Sequence, residues 1–136
     1  MRGALLTILL LLNPAASACG YCVEDKIAAV YDHAAVTRSL AAQRTVVFFA
    51  LDGALKPGQP MRLQVEKRAA AVPGVDKASV RVSMESASLA LAFDPKRASL
   101  AEVQNVLERK LAGLHLSALA MRVMDRPGDL AALRGR

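Results

Sequence analysis

The chain has 136 residues, with 54% hydrophobic and 22% charged side chains and a formal net charge of +6, which suits one globular core and excludes a largely disordered chain. Aromatic residues are 4% and Trp is absent, so a base-stacking nucleic-acid surface is poorly supplied. Two Cys and two His exclude a multi-disulfide scaffold, a four-Cys zinc site and a His-rich metal centre.

Residues 1–18 read as a secretory signal peptide. Arg2 supplies the positive start, Ala4 to Leu12 a short apolar run, and Ala16-Ser17-Ala18 a small-residue cleavage site. The predicted destination is periplasmic or secreted, where nucleic acid is not an expected partner. Ala16-Ser17-Ala18-Cys19 also partly matches a lipoprotein processing box, with Ala where such boxes usually carry Leu. Membrane attachment is expected only if Cys19 is lipidated.

Residues 19–44 are predicted as a helical segment bearing Cys19-Gly20-Tyr21-Cys22 at its start. Ile27, Val30, Tyr31, Ala34 and Ala35 recur with helical spacing through 23–43. The β-branched and aromatic run 45–52 predicts a strand whose two faces are both covered. The loop 53–60 follows, with two Gly and two Pro. Residues 61–72 predict a helix stopped by Pro73-Gly74. Alternation in 76–84 and through Leu89, Leu91 and Phe93 predicts two strands joined at Glu85-Ser86. Ser99 and Glu102 form a capping box for a helix over 100–111, ended by Gly113. Residues 115–124 give a last strand, and 125–136 are expected to be a loose tail.

The order after the first helical segment is β-α-β-β-α-β. We therefore expect an α+β fold, a ferredoxin-like βαββαβ sandwich preceded by an extra N-terminal helix. Residues 45–124 resemble the heavy-metal-associated (HMA) domain of copper chaperones and metal-pumping ATPases. The likeness rests on Val72-Pro73-Gly74-Val75, on Val80 and Val82, and on Phe93-Asp94-Pro95 followed by Ser99, Val103 and Leu107. The resemblance implies a metal carrier that exchanges its ion with a protein partner or metal transporter. It also implies a metal-binding Cys-x-x-Cys in the loop after the first strand. That loop is here Gly53-Ala54-Leu55-Lys56-Pro57-Gly58-Gln59-Pro60, without Cys, His or acid.

The only Cys-x-x-Cys is Cys19 to Cys22. Two thiolates so spaced suit Cu(I), or Zn(II) with further ligands. The same pair could cycle as a thiol–disulfide couple or close a small structural disulfide. The expected metal ligands are Cys19 and Cys22, joined by His115 in the connection before the last strand. His33 reads as part of a solvated face, and Met61, Met84, Met121 and Met124 as core filler. The N-terminal helix is expected to lie on the sheet face opposite the other helices, against Ala90, Ala92, Ala118 and Ala120, and to bring its cysteines to the donor-free loop. No catalytic constellation is present, so no enzyme is expected. Readings in which the chain is a thiol–disulfide redox protein or a metal-free interaction module stay open.

Overall fold

A computed structural model of the chain describes residues 18–134, with side chains over 23–131. The signal peptide expected over 1–18 lies outside the described residues apart from Ala18.

The elements run α1 (Ala18–Val30), α2 (His33–Ala41), β1 (Thr45–Gly53), α3 (Gln59–Ala70), β2 (Arg81–Ser83), β3 (Ser88–Phe93), α4 (Leu100–Ala112), β4 (Leu116–Met124) and α5 (Asp129–Arg134). The four strands form one sheet in the order β2-β3-β1-β4, every neighbouring pair antiparallel. With helices after β1 and β3, this is the ferredoxin-like arrangement the sequence predicts.

β1 is central, and from Thr45 to Phe49 every residue is buried. Its side chains alternate between two cores, which is why the apolar run is unbroken. Val47, Phe49 and Leu51 face α3 and α4, meeting Val65, Ala69, Val103, Leu107 and Leu111. Val46 and Phe48 point the other way, to Ile27 and Val30 of α1, Val36 and Leu40 of α2, and Ala90 and Ala92 of β3. The sheet is thus sandwiched between two helical layers.

The small residues of β3 accept α1 as expected, but those of β4 do not. Ala118 pairs with Leu51 and Ala120 with Phe49, and residues opposite each other in a ladder share a face. Both alanines therefore lie with the α3–α4 core. The register of β4 then shifts opposite Phe48/Phe49, so that Arg122 and Met124 turn to the α1–α2 side.

The N-terminal helical segment, predicted as continuous, is two helices. Asp32 adopts an extended backbone (φ −112, ψ 106), and its carboxylate accepts from Ala35 N–H at 3.0 Å, capping α2. The same carboxylate takes two bonds from Arg81, through Nε at 3.1 Å and Nη2 at 2.9 Å.

β2 is also shorter than the alternation predicts. Asp76 starts a single 3-10 turn over Lys77–Ser79, and the Ser79 hydroxyl accepts from Ala92 N–H at 2.8 Å, which occupies a β3 ladder group. Of the three residues that alternation puts on one face here, Val80 and Met84 are buried, and Val82 packs partly buried against the same core. At the far end, the tail expected to be loose contains α5. Asp129 accepts from the N–H groups of Asp125 and Arg126, both at 3.0 Å, and Leu130 packs on the α1–α2 core.

Candidate metal-binding end

Three connections meet at one end of the sheet: the loop after β1, the β2–β3 turn and the α4–β4 connection. Leu51 N–H donates to Ala87 O at 2.8 Å, and Ala54 N–H to His115 O at 3.1 Å. Gly53 makes this closeness possible. It sits at φ 119, and a Cβ there would overlap the His115 carbonyl oxygen. His115 itself has φ 56 and an exposed side chain.

α1 runs toward this end from its C-terminus. Val30 packs in the same cluster as Val46 and Ala92, while Lys26, a turn earlier, donates to Ser86 O at 2.7 Å and Ala87 O at 3.2 Å in the β2–β3 turn. On the other flank Glu24 accepts from Arg122 Nη2 of β4 at 2.8 Å. The helix is therefore fastened across the sheet near its start. Cys22 stands one turn ahead of Lys26, about 6 Å along the axis, and Cys19 almost one turn further. The thiols of Cys19 and Cys22 lie outside the described side chains.

Among the described residues no three His, Cys, Asp or Glu side chains cluster in a way that could hold a metal ion. Asp52, the nearest acid in sequence to the donor-free loop, accepts from Gly53 N–H at 2.9 Å. His33 lies beyond the α1–α2 break, and its Nδ1 contacts the Tyr31 hydroxyl at 3.1 Å. Met84 and Met124 are buried in the two cores, and Met61 and Met121 pack partly against them, in keeping with core filler.

Sequence reasoning did not single out Lys26, Glu24 or Arg122, the residues that aim α1. A Lys one turn inside the helix beside an acid at Glu24 looks like ordinary surface charge. Only the fold shows that both reach across some 60 to 98 positions of sequence.

No protein-family model matches the chain, and no curated protein matches it. Among solved structures, oxidized MerP from Ralstonia metallidurans CH34 is similar to it, with a TM-score of 0.46 and 22% identity over 57% of this chain and 99% of that one. The ferredoxin-like assignment rests on the strand order and pairing given above. Among the described residues no helix is long and apolar enough to cross a membrane.

Proposed function

We propose that this chain is an exported heavy-metal binding or carrier protein, with Cu(I) the favoured cargo and Zn(II) the second choice. The carrying observation is the direction of α1. Its start, bearing Cys19 and Cys22, is tied by Lys26 to the end of the sheet whose first loop lacks any donor. In this reading the two cysteines supply from an added helix what the loop does not.

The chemistry follows from the donor set. Two thiolates give a soft, low-coordinate site that suits Cu(I). A helix start favours the thiolate form, because the unpaired N–H groups of a first turn favour negative charge. His115, exposed in the α4–β4 connection at the same end, is the proposed third donor. With so few donors the ion stays accessible, as transfer to a partner protein or metal transporter requires. Residues 1–18 serve as the export leader, 19–44 as the cysteine-bearing segment and 45–124 as the ferredoxin-like body.

The test is competition against a Cu(I) chelator, using the reduced exported protein and its Cys22→Ser and His115→Ala variants. Retention of copper by the wild type, lost in Cys22→Ser and weakened in His115→Ala, is expected. Equal retention by wild type and Cys22→Ser would remove the cysteines from the site. A pair that resists binding yet shows a high, easily reduced potential would instead assign thiol–disulfide exchange.

A further inference from the structure

The layer formed by α3 carries a band of positive charge that the metal reading does not use. Two open grooves flank this helix. One, about 460 Å³, is lined by Leu63, Glu66, Lys67, Lys77 and Arg81 among others; the second, about 310 Å³, includes Lys67, Arg68 and Lys110. Lys67 borders both, so the cations run across the helix from β2 to α4. Glu66, the one carboxylate in either lining, is held by Arg62 at 2.5 Å. Arg81 is paired with Asp32, but among the described residues Lys67, Arg68, Lys77 and Lys110 have no carboxylate within ion-pair distance. Arg68 is fixed in place by donating to Lys110 O at 2.6 Å.

Leu63 stands within this band on the outer side of α3. It is 55% exposed, one of three exposed large apolar side chains among the described residues. It lies one turn before Lys67, on the same face of the helix. A helix crest with a protruding Leu and lysines on its flanks matches an interfacial contact. The apolar tip enters the headgroup layer, while the long cationic stems reach anionic phosphates on either side. An acidic protein segment would use the cations but leave the Leu without a role.

We propose that the α3 face docks on an anionic phospholipid surface, with Leu63 at the interface and Lys67, Arg68, Lys77 and Lys110 on lipid phosphates. Such a contact is peripheral, reversible and weakened by salt. It requires neither lipidation of Cys19 nor a metal ion.

The experiment is vesicle co-sedimentation of the exported protein carrying Cys19→Ser, so that no acyl chain can be attached there. Vesicles of phosphatidylglycerol in phosphatidylcholine are compared with phosphatidylcholine alone. Binding is expected only to the anionic vesicles and should fall as salt rises. Lys67→Glu should weaken it about thirtyfold, since a charge reversal counts as two cations of roughly fivefold each. Leu63→Ser should weaken it less. Arg38→Glu makes the same charge change on α2, behind the sheet, and should leave binding nearly intact. Equal losses in Lys67→Glu and Arg38→Glu would reduce the effect to net charge and overturn the proposal. So would equal binding to both vesicle types, or capture by immobilised polyglutamate without vesicle binding, which would assign an acidic protein instead. Circular dichroism of each variant separates lost binding from lost folding.

Discussion

Lys26 Nζ donates to the Ser86 carbonyl oxygen at 2.7 Å, joining residues 60 positions apart. Together with the Glu24–Arg122 pair, this bond ties the first turns of α1 to one end of the sheet. Without it, the packing of Ile27 and Val30 would fix which face of the sheet the helix covers, but far less firmly where its first turn lies. The position of the two cysteines thus depends on a lysine that neither binds metal nor belongs to a core.

That placement predicts a cross-linking pattern. In a Cys19→Ser background, a short thiol-to-amine reagent on Cys22 should reach Lys56 in the loop after β1, besides the local link to Lys26. Lys96 lies beyond Phe93, which pairs with Thr45 at the opposite end of the sheet, and should remain unlinked. Peptide mapping by mass spectrometry reads the result. A Cys22–Lys96 link in place of Cys22–Lys56 would reverse the direction assigned to α1.

The two cores predict separable responses to truncation of adjacent residues. Phe48 is fully buried against α1 and α2, its ring stacked on Tyr31 with centroids 6.3 Å apart. Phe49 is fully buried against α3 and α4. Each change to Ala should cost about 3–5 kcal/mol in denaturant unfolding. Native-state hydrogen exchange should distinguish them: Phe48→Ala speeds exchange first in 23–41, Phe49→Ala first in 59–70 and 100–112. Identical exchange profiles would mean that the two layers do not behave as separate packing units.

Gly53 offers a local test of the candidate end. Its φ of 119 and its closeness to His115 leave no room for a side chain. Gly53→Ala should destabilise the fold by at least about 1–3 kcal/mol, the usual scale for the backbone strain alone, because its Cβ must also displace the His115 carbonyl. Gly128, with open space around it, is the control, and its change to Ala should be near neutral. Urea midpoints compare the pair.

Much of this architecture is legible in the sequence, and the exceptions share a cause. The unbroken run Thr45 to Phe49 announces a strand covered on both faces, and Ser99 with Glu102 announces a capped helix; the capping box forms as expected. Both signals are local. The α1–α2 break is local too, because Asp32 is a good N-cap, but the helical periodicity of Ile27, Val30, Ala34 and Ala35 runs through it and masks it. The facing of Ala118 and Ala120 is different in kind: it follows from register against β1, which strand alternation alone cannot set. The candidate site divides in the same way. Cys19-x-x-Cys22 and the donor-free loop can be read from residue types, whereas the Lys26 and Glu24 ties that aim the helix exist only once distant strands pair.

Acid should loosen the back layer, and the sign follows from Asp32. Its carboxyl is held below its ordinary value of 3.8, first by the Ala35 N–H and then by the Arg81 guanidinium. Glu102 is lowered by the Ser99 N–H, and Asp129 by the Asp125 and Arg126 N–H groups. A carboxyl whose folded pKa lies below its unfolded one binds fewer protons in the native state. Its contribution is complete above the unfolded value and is lost as pH falls toward the folded one. The melting temperature should therefore hold from neutral pH down to about pH 4 as far as these groups are concerned, and decline below it. Asp32→Asn keeps a capping oxygen but removes the charge facing Arg81. It should melt lower than wild type near neutral pH, with a shallower fall in acid, so that the two curves converge at the acid end. Parallel curves would show that Asp32 ionisation does not couple to folding.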